Sequence, residues 1–107
     1  MADARTHYLK GLEHFVAQRY DDAAACYRQA LELEPDYALG WNGLTMALQR
    51  KGDLDGALEA GRRLVELEPD EPLAHTSLSI IYQQKGMVPE AEEEKAVAMR
   101  LQMKRQR

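Results

Sequence analysis

The chain has 107 residues and a formal net charge of −4, with 45% hydrophobic and 30% charged residues, which is the composition of a soluble globular protein. The acidic balance disfavours nucleic acid as a partner. No apolar run approaches the ~20 residues that a membrane span needs, and the start lacks the apolar stretch of a signal peptide, so we expect a cytoplasmic protein.

Apolar residues recur every three to four positions between Gly and Pro breaks, a pattern that predicts helices. In chain order, the predicted helices span about 3–17, 21–33, 37–51, 54–67, 71–85 and 88–105. Asp36 and Asp70 follow prolines and are expected to cap the third and fifth helices. Asp53 is expected to cap the fourth helix, and Pro89 fits the first turn of the sixth.

The sequence repeats itself every 34 residues. Leu-Glu-Pro-Asp occurs twice, with its prolines at Pro35 and Pro69, and turn glycines at Gly52 and Gly86 keep the same spacing. Small and apolar residues recur in further registers, such as Ala23, Ala57 and Ala91. A fixed period of this size indicates stacked repeats rather than an ordinary globular fold.

The unit WNGLTMALQRKGDLDGALEAGRRLVELEP resembles a tetratricopeptide repeat (TPR), and its matching residues are Trp41, Leu44, Leu48, Gly52, Leu54, Ala57 and Pro69. The flanking units match at fewer positions: Gly11, Tyr20, Ala23, Tyr27, Ala30 and Pro35 in the first, and Leu78, Tyr82, Gly86 and Ala91 in the third. Three positions depart from the pattern: Gln18 replaces a turn glycine, Gly61 a bulky residue and Met103 a proline.

The resemblance implies an all-α fold, a right-handed α-solenoid of three antiparallel helix pairs. Residues 1–107 would form a single TPR domain, with repeats at about 4–37, 38–71 and 72–105. Alanines in the Ala57 register are expected to let the two helices of each pair approach closely. Gly61 costs about 1 kcal/mol of helix propensity, so we expect it to make room for a large neighbour, Trp41 or Tyr82.

The resemblance also implies that the first helices of the pairs line a concave groove that binds an extended or helical segment of another protein. The residues expected to face it are Arg5, Tyr8, Leu12, Phe15 and Val16, then Leu39, Asn42, Met46, Gln49 and Arg50, then Leu73, Thr76, Ile80, Gln83 and Gln84. Leu12, Met46 and Ile80 share one register and predict an apolar stripe, which is typical of an interaction site. The alternative is that some of these residues belong to the core.

One subclass of the family holds the acidic tails of heat-shock chaperones with a clamp of Lys, Asn, Asn, Lys and Arg. The corresponding residues of this chain are Tyr8, Leu12, Gly43, Leu73 and Ser77. None matches, so we do not expect chaperone-tail recognition by that mechanism. Arg5, Asn42 and Arg50 could still hold a polar or acidic group at the rim.

Other candidate sites are weaker. His7, His14 and His75 occupy packing registers, and no further His or Cys completes a metal shell, so we expect no metal. Cys26 is the single cysteine, which excludes an internal disulfide, and it is expected to be a buried inert thiol. No phosphate-binding loop or catalytic set is present, so neither enzymatic activity nor a cofactor is expected.

The last predicted helix begins with acidic residues and ends with basic ones, Arg100, Lys104, Arg105 and Arg107. This order complements the helix dipole, and the alternative is a basic end that contacts phosphate or an acidic partner. Its apolar residues also suggest a homodimer.

We therefore predict a non-catalytic scaffold for protein–protein interaction that binds a partner's apolar side chains in its groove. The alternative is a self-assembling structural adaptor that uses the groove or the last helix.

Overall fold

The computed structural model describes residues 2–106, and Met1 and Arg107 lie outside the described part. It contains six helices: α1 (Ala4–Val16), α2 (Tyr20–Leu33), α3 (Ala38–Lys51), α4 (Leu54–Leu67), α5 (Pro72–Gln84) and α6 (Val88–Arg105). The described residues form no strand. The six predicted helices are confirmed, and each end falls within one residue of its expected position.

The helices pair as three antiparallel hairpins that stack in chain order. α1 packs on α2, α3 on α4 and α5 on α6, while α2 contacts α3 and α4 contacts α5 across the junctions between hairpins. The stack measures 42 × 31 × 21 Å. The molecule is thus an all-α, right-handed solenoid, as the resemblance to the repeat family implies.

Local signals set the helix ends, with two corrections. The Asp53 carboxylate accepts a hydrogen bond from the Gly56 amide at 2.9 Å and caps α4, and Pro89 lies in the first turn of α6, both as predicted. Asp36 and Asp70 are not caps, because the residues that precede α3 and α5 are Tyr37 and Glu71.

The physical reason for this correction is a backbone turn after each repeat proline. The Tyr37 amide donates to the Glu34 carbonyl at 3.0 Å, and the Glu71 amide donates to the Glu68 carbonyl at 3.1 Å. Each turn moves the helix start one residue further along the chain. Asp36 is thereby left on the surface, where it accepts a hydrogen bond from Arg63 at 2.6 Å.

The turns inside the hairpins need left-handed backbone. Gly52 has a φ of 94° and Gly86 a φ of 79°, a region that glycine adopts without steric cost. In the first hairpin Gln18 takes this conformation, with a φ of 63°. The departure from glycine therefore leaves the turn intact but adds strain to it.

One aromatic ring organises the first junction. Tyr27 of α2 is fully buried, and its ring lies where side chains on the neighbouring helices would be. A Cβ atom added to Gly11 or Gly43 would stand 2.5 Å or 2.7 Å from this ring. Burial disfavours the charged phenolate and raises the pKa of Tyr27 to about 12. α1, α2 and α3 can thus approach one another only because both facing positions are glycine.

The second junction uses the opposite arrangement of large and small residues. Gly61 of α4 occupies the register of Tyr27, and a Cβ there would lie 2.9 Å from Leu78 Cδ2 and 3.6 Å from Thr45 Cγ2. The expectation that Gly61 accommodates Trp41 or Tyr82 is wrong, because the side chain that fills the space is Leu78, from the middle of α5. Ala23, Ala57 and Ala91 are all buried between helices.

Candidate functional site

The residues predicted to bind a partner lie on α1, α3 and α5, and we call the surface that these three helices present the groove. Its apolar members are unusually exposed: Leu39 by 49%, Met46 by 37%, Leu73 by 72% and Ile80 by 44%. Leu12, in the register of Met46 and Ile80, is half-buried. The first, third and fifth helices therefore present large apolar side chains that the fold itself does not cover.

Two contacts across helices bring predicted groove residues together. The Arg50 guanidinium of α3 lies over the Phe15 ring of α1, with Cζ 5.5 Å from the ring centroid. Gln49 of α3 donates through Nε2 to Gln84 Oε1 of α5 at 2.9 Å. Both contacts lie at the C-terminal ends of α1, α3 and α5.

The remaining predicted residues vary in exposure. Exposed members are Arg5, Val16, Thr76 and Gln83, whereas Asn42 is half-buried and its Nδ2 contacts Met46 Sδ at 3.9 Å. Tyr8 is half-buried in an aromatic cluster, with its ring centroid 5.8 Å from that of Tyr27 and 5.9 Å from that of Tyr37. Tyr8 therefore contributes to packing as well as to the surface.

A concave feature that was not expected from the sequence lies between α2 and α4. It is a cleft of about 730 Å³, with a floor that includes Leu31, Trp41, Leu48 and Ala60. Its rim carries equal numbers of basic and acidic residues, namely Arg28, Arg62, Arg63, Glu32, Glu59 and Glu66.

The origin of this cleft is visible in the repeat register. In the third repeat, His75 places Nε2 2.7 Å from the Pro69 carbonyl oxygen and Nδ1 2.7 Å from Glu94 Oε2. In the second repeat, Trp41 Nε1 donates to the Pro35 carbonyl at 2.7 Å in the same way, but Ala60 stands where Glu94 would be. The short Ala60 side chain leaves space beside the indole. The pairing of small Ala60 with large Trp41 is the sequence signal that could have predicted the cleft.

His14, His75 and Cys26 have structural surroundings, whereas Nδ1 of His7 is buried without a hydrogen-bond partner among the described residues. His75 is buried and packs as described, and His14 Nδ1 lies 3.3 Å from Arg19 Nε. Cys26 is half-buried, and burial raises the pKa of its thiol. Residues 2–106 contain no group of three or more His, Cys, Asp or Glu side chains placed to hold a metal ion.

The basic end of α6 is partly engaged within the molecule. Arg105 donates to the Glu71 carboxylate at 3.1 Å, which lowers the pKa of Glu71. This contact ties the end of α6 back to the start of α5. None of the helices in the described range is both long and apolar enough to cross a membrane.

Three stacked helical hairpins with a 34-residue register define an α-solenoid repeat protein. A family model described as tetratricopeptide repeat matches residues 8–72, more than half of the chain. The chain belongs to the tetratricopeptide repeat family. No curated protein matches the sequence.

Solved structures share the fold at low sequence identity. The structure of MamA superposes with a TM-score of 0.93 at 24% identity, over 96% of this chain and 60% of that one. The Yersinia enterocolitica type III secretion translocator chaperone SycD, in an alternative dimer, gives a TM-score of 0.87 at 21% identity over 92% and 74%. The second TPR of Spaghetti (RPAP3), bound to the HSP90 peptide SRMEEVD, gives 0.88 at 18% identity over 92% of both chains. The chain thus spans about three fifths of the length of MamA.

Proposed function

We propose that the protein is a non-catalytic interaction module that binds a segment of a partner protein in the groove. The observation that carries this proposal is the exposure of Leu39, Met46, Leu73 and Ile80 on α3 and α5. Apolar side chains clustered on a surface are favourable binding sites, because a partner removes them from water. Met46 adds a flexible side chain that adapts to irregular shapes.

The similar solved structures support the binding of a protein partner in general, because one of them holds a peptide and another is a chaperone. The chemistry proposed here differs from a charged clamp. Gly43, at one clamp position, lies against the buried Tyr27 ring, and the Ser77 hydroxyl donates to the Leu73 carbonyl at 3.0 Å. The groove therefore offers apolar contact where the clamp offers charge.

The double variant Met46→Glu/Ile80→Glu tests the groove. Both side chains are exposed, so the fold should survive, while two carboxylates on the apolar surface should weaken partner binding by at least about tenfold. The measurement is quantitative recovery of co-purifying proteins from the native cell on immobilised wild type and variant. The matched control is Leu33→Glu, which changes an exposed leucine on α2 in the same way. Equal recovery on all three proteins would contradict the proposal.

Self-assembly is the second candidate function, and the exposed Val88, Met99 and Met103 of α6 favour it. Continued head-to-tail stacking is disfavoured by charge. At the second junction, Leu78 of α5 packs over Gly61 of α4. If two copies stacked end to end, the residues equivalent to Leu78 and Gly61 would be Lys10 of one copy and Lys95 of the other, so two like charges would meet. A dimer would therefore form through the groove or the side of α6 rather than by extending the solenoid.

Light scattering over a range of concentrations separates the two functions. The partner-binding proposal expects the mass to remain that of a 12.2 kDa monomer at high concentration. A mass that doubles with concentration would support self-assembly instead. In that case Met99→Glu and Met46→Glu show which surface is used, since only the variant in the interface should restore the monomer.

A further inference from the structure

We propose that the partner segment carries an acidic side chain between apolar ones, and that Arg50 is the residue that binds it. This inference rests on the proposed function of the groove and adds a charge requirement to it. It concerns an Asp or Glu side chain inside the segment rather than a chain terminus.

Arg50 is held in place by a contact with an aromatic ring. Its guanidinium lies over the Phe15 ring, a cation–π contact that fixes a flexible side chain between α3 and α1. Other basic residues, such as Lys51, Arg63 and Lys85, each contact a carboxylate. Within residues 2–106, no carboxylate oxygen lies within 4.0 Å of the Arg50 guanidinium. The planar donors of Arg50 are thus positioned on the surface and available to a ligand.

The charge of the groove is opposite to that of the chain. The protein has 18 acidic and 14 basic residues, yet the residues predicted to face the groove include Arg5 and Arg50 and no acidic residue. An acidic segment would therefore be attracted to this surface and repelled by much of the rest of the molecule.

A neutral donor stands at the same end of the groove. Gln84 accepts the hydrogen bond from Gln49 through Oε1, which leaves its amide nitrogen free to donate. Arg50 lies toward α1 and Gln84 lies on α5, so a segment that crosses the groove can place its carboxylate on Arg50 and a backbone carbonyl on Gln84. Apolar Leu39 and Leu73 lie in the first turns of α3 and α5, at the opposite end.

The position of Arg50 indicates whether the acidic group of the bound segment is a side chain within the segment or the carboxylate at its end. α3 is the middle one of the three helices that form the groove, and apolar residues continue on both sides, with Leu12 on α1 and Ile80 on α5. A segment that crosses the groove would contact apolar residues before and after Arg50. The acidic group therefore belongs to a residue within the segment.

Selection from a displayed library of random 12-residue peptides tests this inference. The baits are wild type, Arg50→Gln, Arg28→Gln and Met46→Glu. Arg28 is the matched control, because it is exposed on α2 and no ion pair involves it among the described residues. We expect wild type and Arg28→Gln to select apolar peptides with Asp or Glu enriched several-fold between the apolar positions, and Arg50→Gln to select apolar peptides without that enrichment.

A second measurement uses one selected peptide and its Glu→Gln or Asp→Asn counterpart. The neutral peptide should bind wild type about tenfold more weakly, as expected for the loss of a hydrogen-bonded charge pair, and should bind Arg50→Gln as well as the acidic peptide does. The difference should shrink as salt is raised. The melting temperature of Arg50→Gln should stay near that of wild type. If Arg50 only complemented the dipole of α3, the variant would instead lose stability.

The possible failures are distinguishable. Apolar peptides without acidic enrichment on wild type, or an acid preference that survives Arg50→Gln, would overturn the role of Arg50 while leaving the groove as the binding site. Selection of the same peptides by Met46→Glu would overturn the proposed function itself. Peptides that match residues 88–105 would point to a second copy of the chain and overturn the inference of a separate acidic partner.

Discussion

Replacing Gly43 with alanine is expected to lower the free energy of unfolding by about 1–3 kcal/mol, even though alanine is the better helix former. The new Cβ would stand 2.7 Å from the Tyr27 ring, which cannot move away because Gly11 closes the other side. The ring or the α2–α3 junction must therefore shift. In a chain of this size such a loss is a large fraction of the total stability.

Gly61→Ala is the matched control for this prediction. Its Cβ would lie 2.9 Å from Leu78 Cδ2, the end of a flexible side chain that can rotate. The gain of about 1 kcal/mol in helix propensity should offset much of the strain, so the net change should stay within about 1 kcal/mol. Urea unfolding followed by circular dichroism measures both variants. If Gly43→Ala is as stable as wild type, then Tyr27 does not organise the junction as described.

The sequence predicts the helices of this fold well because the same signals occur in each repeat. Gly52 and Gly86 end helices with left-handed backbone, and Pro35 and Pro69 mark the boundaries between repeats. Gln18 lacks the glycine signal, yet its turn forms, since packing of α1 on α2 overrides a local preference. Repetition compensates for weak signals at single positions.

The contacts between repeats are harder to predict, because the 34-residue register fixes which positions face a junction but not which side chain fills it. Tyr27 and Gly61 share a register, but the first inserts a ring and the second receives Leu78 from the next helix. Likewise, Asp36 and Asp70 have the residue type of caps, but a backbone turn starts the helices one residue later. Such choices depend on neighbours that are distant in sequence.

In the groove too, helical spacing predicts which residues share a register but not which contacts they make. Helical spacing places Leu12, Met46 and Ile80 in one register, and the structure leaves Met46 and Ile80 exposed but Leu12 half-buried. The contact of Arg50 with Phe15 joins residues 35 positions apart, which periodicity alone cannot pair. The binding role of the groove residues remains a prediction for the variants described above.

The second large effect on stability is expected at His75 and Glu94. These residues are equivalent to Trp41 and Ala60 of the second repeat. His75→Trp alone is expected to lower the free energy of unfolding by about 2–4 kcal/mol, because the indole would crowd Glu94 and leave its carboxylate without the imidazole. Glu94→Ala alone is expected to cost about 1–3 kcal/mol, because it leaves the buried Nδ1 of His75 without its partner.

The double variant His75→Trp/Glu94→Ala should be more stable than the sum of the single effects by at least about 1–2 kcal/mol. It recreates in the third repeat the pair that the second repeat already contains, where the indole donates to the proline carbonyl and the alanine leaves room for the ring. Urea unfolding of the four proteins gives this coupling energy. Additive losses would mean that equivalent positions of the second and third repeats are not interchangeable, because the neighbouring junction, rather than the pair itself, decides which side chains fit.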